Sequence, residues 1–340
     1  MLNPVVPETP DPKSAHVVTN WGHDRPLISC RFDPSGQLVF SGAEDAIVGR
    51  FKMPDGARTL YTGGHSTWVN TFAFSGDGKT VISGSCDGKL TWWPVEGDAP
   101  APIRTVAAHG TQWVRSVVTS PDGSLLASGG NDRVVRIWNP ADGTVVKELN
   151  GHEKHVYSVL FHPNGTTLFS GDLAGNVRQW DVATGMEIKK FDATPLYSFN
   201  GGQQVDFGGV RALAVSADGK WLAAGGLHKA TNPLGAVHEP LIILVNLETG
   251  AVERQLIAEG ITGGVIWRLK WLADGSLMGV SGGSSGGWLF FWKPEAEKDF
   301  HRFQLPNIAR DMDVAPDGIT VVTAHHDRNL RITRLAPKAA

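Results

Sequence analysis

Three times along the chain a histidine is followed 18 or 19 residues later by a serine, and an aspartate stands four residues beyond. His65, Ser83 and Asp87 make one set and His109, Ser128 and Asp132 another, with Trp93 and Trp138 closing them at equal distance; His23, Ser41 and Asp45 make the third, closed by Phe51. Serine, histidine and aspartate are the types of a nucleophilic triad, in which the carboxylate orients the imidazole that takes the hydroxyl proton. An active site needs one such set. Repetition instead fits buried polar groups that satisfy one another's hydrogen bonds and tie neighbouring strands together. No catalytic residue is therefore assigned, and His65, Ser83, Asp87, Trp93, His109, Ser128, Asp132 and Trp138 are read as a structural network. The pattern decays along the chain. His152, Ser170 and Trp180 persist with Ala174 where the aspartate would fall, and the last stretch keeps only Thr323, Asp327 and Thr333.

Other chemistry-like strings fall short. His152 to His155 spells HEKH, one residue too short for the helical zinc motif HExxH, in a segment with no helical pattern. His325 and His326 are adjacent in a turn, which gives no metal geometry. His228, His238 and Glu239 could meet if their loop folds back. The sequon Asn164-Gly165-Thr166 lies in a tight turn, and the glycine-serine run 282–287 has no strand-to-helix context for cradling phosphate. No metal site and no cofactor is expected.

The elements that position these residues are short strands. From Gly151 to Gly185 the chain reads as three strand-length runs (156–161, 166–170 and 176–181) separated by Gly, Pro, Asn and Asp, with links too short for a crossover helix. The turn before the second run recurs as DPSG, SGDG, SPDG, HPNG, SADG, LADG and APDG, ending on Gly36, Gly78, Gly123, Gly165, Gly219, Gly275 and Gly318 at steps of 42, 45, 42, 54, 56 and 43 residues. Gly22-His23, Gly64-His65, Ala108-His109 and Gly151-His152 open the units, and Phe51, Trp93, Trp138, Trp180 and Trp292 close their third strands.

This seven-fold pattern resembles the WD40 repeat family, whose units form four-stranded propeller blades. The resemblance covers nearly the whole chain after residue 15. It implies an all-β fold, a seven-bladed propeller over residues 15–340, closed when the strand at Ala15–Asn20 completes the last blade, which lacks an outer strand of its own. In proteins similar to this one the His, Ser, Asp and Trp of a repeat form the buried network read above. Residues 1–14 hold four prolines and no apolar run, and are expected to be a disordered lead-in.

Composition narrows the function classes. With 41% hydrophobic residues, 12 Trp and 41 Gly the chain suits short strands and many turns, and a net charge of −3 leaves no overall footprint for nucleic acid. No stretch reaches the apolar length of a membrane span, and Cys30 and Cys86 are too few for a disulfide framework. A cytoplasmic protein is expected.

Two pointers place a partner site. By the family's topology, insertions at 191–209, 227–240 and 282–287 emerge on one face around blades 4 to 6, carrying Tyr197 and Phe199, and long loops on a rigid scaffold commonly bind. At the start of each first strand, Val69, Val114, Val156 and Val210 point into the blade, so their neighbours point elsewhere. Those neighbours are Trp68, Asn70, Trp113, Arg115, His155, Tyr157 and Arg211, joined by Trp267 and Arg310 in the sixth and seventh repeats; in similar proteins these positions line the rim of the central channel on that face. The expectation is a non-enzymatic protein-interaction scaffold that binds a protein or peptide there. The alternative is a propeller hydrolase or lyase with a metal in or near the channel, which would need several Asp, Glu or His side chains aimed at one point.

Overall fold

The seven turn glycines all take the left-handed backbone conformation, with φ from +70° to +78°, in the turns that join first to second strands. A side chain is strained in that region, so glycine there sets the hairpin and its register. In a computed structural model that describes residues 7–98, 100–232 and 237–338, these hairpins build seven four-stranded antiparallel sheets. Blade 1 runs Leu27–Phe32, Leu38–Ala43, Val48–Lys52 and Arg58–Tyr61; blade 2, Val69–Phe74, Thr80–Ser85, Lys89–Pro94 and Arg104–Ala107; blade 3, Val114–Thr119, Leu126–Gly130, Val135–Trp138 and Val145–Leu149. Blade 4 runs Val156–Phe161, Thr167–Asp172, Asn176–Asp181 and Glu187–Asp192; blade 5, Ala212–Val215, Trp221–Asn232, Val237–Asn246 and Val252–Ile257; blade 6, Val265–Trp271, Leu277–Gly283, Gly286–Trp292 and His301–Leu305.

Blade 7 contributes Ala309–Val314, Thr320–His325 and Asn329–Leu335, and its outer strand is Ala15–Gly22 from the other end of the chain. That strand pairs antiparallel from Ala15 opposite Leu335 to Gly22 opposite Asn329, so the sheet edge is covered. First strands of successive blades pack on one another around the ring, blade 7 on blade 1 included, and line the central channel. Seven apolar clusters fill the gaps between blades. Between blades 1 and 2, for example, Phe40, Tyr61, Phe72 and Trp93 are buried together, and full burial of one such side chain contributes about 2 to 3 kcal/mol. The closing strand adds Trp21, whose ring stacks on Phe51 at 5.8 Å.

Three expectations need correction. Residues 7–14 do not trail free: Glu8 N–H donates to Asp317 O, Asp11 N–H donates to Leu335 O, and Asp11 caps a short 3-10 turn at Pro12–Ser14. Residues 1–6 of the expected lead-in lie outside the described residues. The run 282–287 is not a loop but the end of a hairpin, with Gly282 opposite Gly287 and Gly283 opposite Gly286. The stretch 227–240 likewise extends two blade 5 strands in register from Trp221 opposite Asn246 to His228 opposite Glu239, and its tip at 233–236 lies outside the described residues. In both places strand pairing satisfies the backbone, which a loop of the same composition would leave to solvent.

Candidate functional site

The recurrent polar set forms as expected in blades 2 and 3. His65 Nδ1 meets Asp87 Oδ2 at 3.3 Å and Nε2 meets Ser83 Oγ at 2.7 Å, while Trp93 Nε1 donates to the same oxygen at 2.8 Å. His109 repeats this with Asp132 at 2.7 Å, Ser128 at 2.9 Å and Trp138 at 2.9 Å. A carboxylate can only accept, so Nδ1 carries the proton and the serine hydroxyl donates to Nε2. Burial pushes both carboxyls up, but the histidines and nearby backbone N–H groups outweigh it and hold Asp87 and Asp132 at about 2. The internal geometry is that of a triad. Yet Ser83 and Ser128 are fully buried under their tryptophans, so no substrate reaches the hydroxyl.

Blade 4 corrects the reading of Ala174. Asp172, two residues earlier and at the end of the second strand, accepts from His152 Nδ1 at 2.8 Å, and His152 Nε2 meets Ser170 Oγ at 2.6 Å beneath Trp180 Nε1 at 2.7 Å. Blade 7 rebuilds the network from the strand itself. His325 is fully buried, not a turn residue, and its Nε2 meets Thr323 Oγ1 at 2.7 Å while Nδ1 donates to Asn307 O at 3.0 Å. Burial first, then Arg331, pushes its pKa down to about 4. In blade 1 the set is broken: His23 Nδ1 lies 3.7 Å from Asp45, and His23 Nε2 and Ser41 Oγ have no partner among the described residues.

At the start of six of the seven first strands the ladder is irregular, and there the rim residues sit. Val69 pairs with Ser85 but Thr71 pairs with Gly84, so Asn70 is an extra, unpaired residue. The same bulge isolates Ile28, Arg115, Tyr157, Trp267 and Arg310 in blades 1, 3, 4, 6 and 7, and Arg211 stands just ahead of the blade 5 ladder. A bulge bends the strand and re-aims the side chain it leaves unpaired. Here seven side chains, one from each blade, turn toward the channel and line a single cavity of about 110 Å³ together with Ser116, Arg268 and Asp311.

The mouth is a ladder of rings and guanidiniums. Trp68 and Trp113 lie 6.3 Å apart, each 37% exposed. Arg115 stacks on Trp113 at 4.4 Å and on Tyr157 at 4.8 Å, and Arg211 covers Tyr157 at 4.1 Å and Trp267 at 5.6 Å. Each contact of this kind contributes about 0.5 to 2 kcal/mol as water is excluded. Second bonds fix the orientations: Arg115 Nε donates to Asn131 Oδ1, Arg211 Nε to Gly208 O, Asn70 Nδ2 to Val114 O and Trp267 Nε1 to Gly282 O. Deeper, Asp311 is clamped by Arg268 at 2.7 Å and Arg31 at 3.1 Å, which outweigh its burial and hold its pKa below the ordinary carboxylate value.

Of the partner-site residues expected from sequence, Asn70, Arg115, Tyr157, Arg211, Trp267 and Arg310 meet in this cavity, and Trp68, Trp113 and His155 flank it through ring contacts. Tyr197 and Phe199 are not among the residues lining it. They belong to an added hairpin, Tyr197–Asn200 paired with Val205–Gly208, where Tyr197 donates to Asp206, itself paired with Lys154 at 2.8 Å ahead of blade 4. Ile28 was missed although it holds the same phase in Leu27-Ile28-Ser29 as Asn70 does in blade 2. His228 and Glu239 do approach, at 3.3 Å, but Lys229 shares that carboxylate, and among the described residues no three His, Cys, Asp or Glu side chains gather as metal ligands. The opposite mouth is wider, about 1010 Å³, lined by strand ends and by turn residues such as Pro34, Gly76, Pro121 and Pro316.

The model of the family described as "WD domain, G-beta repeat" matches residues 15–48, 57–94, 100–139, 143–181 and 193–229. Among curated relatives, Protein HIR1 of Kluyveromyces lactis is 34% identical over 38% of this chain and 19% of its own length. A chromatin assembly factor 1 subunit FAS2 homolog of Oryza sativa subsp. japonica is 26% identical over 41% of this chain and 30% of its own. The general transcriptional corepressor TUP1 of Saccharomyces cerevisiae is 48% identical over 14% of this chain and 6% of its own. The chain therefore matches less than a third of the length of these relatives. The solved WD40 beta propeller domain of Doa1 superposes with a TM-score of 0.73 at 20% identity, covering 94% of this chain and 96% of that one, which shows a shared fold. With repeat matches across more than half its residues and seven four-stranded blades closed into a ring, this chain belongs to the WD40 family.

Proposed function

We propose that the chain is a non-enzymatic interaction scaffold that seats a protein or peptide partner on the channel mouth. One observation carries the reading: every blade gives one side chain to a single mouth, and the set is rich in tryptophan, tyrosine and arginine, the types that dominate binding hot spots. In blades 2 to 4 the His, Ser and Asp side chains of the network are paired with one another and their serines are buried, whereas Trp68 and Trp113 remain partly open to solvent beside the cavity. The relatives' own descriptions, a chromatin assembly factor subunit and a transcriptional corepressor among them, fit proteins that work in assemblies. A hydrolase or lyase would need converging acids, bases or metal donors, and the mouth offers chiefly indole, phenol, amide and guanidinium groups.

Among the described residues no helix is long and apolar enough to cross a membrane. Cys30 and Cys86, free and buried, suit a reducing compartment, and the cytoplasm is the location we propose; cell fractionation that finds the chain confined to the nucleus would move it. A photo-crosslinking residue at position 113, compared with one at position 79 in the turn at the opposite face, tests the site in the native cell. Crosslinks to a protein from position 113 alone support the reading. Crosslinks from position 79 alone would overturn it.

A further inference from the structure

The charges around the mouth do not balance. Its lining holds four arginines, Arg115, Arg211, Arg268 and Arg310, and one carboxylate, Asp311. Asp311 is already spent on Arg268 and Arg31, and Arg310 turns toward Glu44 at 3.9 Å. Arg115 and Arg211 have no ion-pair partner among the described residues. Each uses Nε for one neutral acceptor, Asn131 Oδ1 or Gly208 O, and among the described residues nothing accepts from their terminal nitrogens. Tyr157 lies between the two guanidiniums, 4.8 Å from one and 4.1 Å from the other, and Trp113 and Trp267 flank them. Both forks are thus held in place by ring faces while their donor edges stay unused. Burial, with the neighbouring Arg211 adding to it against Tyr157, lowers Arg115 to about 10, and burial lowers Arg211 too; a guanidinium keeps its charge at neutral pH, and an incoming anion would relieve the cost of burying it.

We propose that the mouth takes a carboxylate side chain of an acidic peptide, held between the Arg115 and Arg211 guanidiniums while neighbouring peptide residues lie on Trp113, Tyr157 and Trp267. The proposal rests on the mouth being the partner site and adds what the partner must present. A guanidinium matches a carboxylate with two parallel N–H···O bonds, and such charge-assisted pairs are about twice as strong as neutral ones. A space of about 110 Å³ admits one short acidic side chain and not a folded element. The chain's net charge of −3 gives no general attraction for acidic peptides, so selectivity for them would have to come from this site.

Fluorescence anisotropy of fluorescein-labelled hexaglutamate and hexaglutamine with the purified full chain tests this. Hexaglutamate should bind about tenfold more tightly than hexaglutamine, with the difference shrinking as salt rises in the unaltered protein. Arg115→Gln and Arg211→Gln should each weaken hexaglutamate about fivefold or more and leave hexaglutamine unchanged, with melting temperatures confirming that the variants fold. Arg211→Lys, which keeps the charge but loses the planar fork, should fall between. Equal affinities for the two peptides, or a preference that survives in both glutamine variants, would overturn the proposal. So would tighter, Arg115-dependent binding of a peptide with one phosphoserine in place of a glutamate, or of single-stranded DNA. If the preference fails while crosslinks to a native protein still map to position 113, the scaffold reading stands and the carboxylate anchor falls.

Discussion

Asp172 offers a test of how the repeat network supports the blades. It is fully buried and accepts from His152 Nδ1 at 2.8 Å, from Asn176 N–H at 2.9 Å and from Asn176 Nδ2 at 3.1 Å. Replacing it by serine, the residue at the matching position of blade 2, strands the buried His152 donor; the half-buried Asn176 amide can turn to water. One stranded buried donor costs about 1 to 3 kcal/mol, and loss of the charge-assisted bond brings the total for Asp172→Ser to roughly 2 to 4 kcal/mol. Adding Ala174→Asp rebuilds the arrangement of blade 2, where Ser85 precedes Asp87 and the carboxylate two residues later reaches the histidine at 3.3 Å. The double variant should recover more than half of the loss. Urea unfolding followed by tryptophan fluorescence reads both values. A single variant as stable as the parent, or a double variant no better than the single, would refute the view that the carboxylate acts through His152.

Three further outcomes are expected. Deleting residues 1–22 removes the closing strand and Trp21, so it should lower the melting temperature by several degrees more than deleting residues 1–14, which loses the Glu8 and Asp11 backbone bonds but leaves the ring closed; equal values would count against closure. His325 is held neutral at about 4 in the fold against an ordinary 6.5, so the unfolded chain binds the extra proton between these values and stability falls as pH drops through that window. At about 1.4 kcal/mol per pH unit the loss is about 3 kcal/mol, and His325→Asn should flatten the dependence; an unchanged slope would contradict the assignment. Asp87→Ala and Asp132→Ala should each destabilise by roughly 1 to 3 kcal/mol in equilibrium unfolding, because each strands a buried histidine N–H, and a variant of parental stability would argue against the network.

What was legible in sequence follows from periodicity. The seven turn glycines marked hairpins because only a few residues tolerate that backbone, and strand alternation around Val69, Val114 and Val156 put Asn70, Arg115 and Tyr157 outside the blade. The bulge that gathers them is invisible to alternation, since an extra unpaired residue shows only once the partner strand is known. Asp172 is not visible to repeat spacing, because it ends the second strand two residues ahead of the turn position that carries Asp87 in blade 2, yet its carboxylate reaches the same imidazole. His325 is not visible to it either, because its role is filled from the second strand and not from the segment ahead of the blade. Gly282 to Gly287 read as a loop from composition, although the flanking strands impose pairing on it.

The central claim is that the bulged residues at the channel mouth, with the tryptophans beside them, bind the partner. Measuring the affinity of the captured partner for Trp113→Ala combined with Trp267→Ala, with Lys79→Ala on the opposite face as the control, addresses it most directly. Loss of two such anchors should weaken binding about tenfold or more, with circular dichroism unchanged and the control at parental affinity. Parental affinity in the tryptophan pair together with loss in the Lys79 variant would place the partner on the other face and contradict the account.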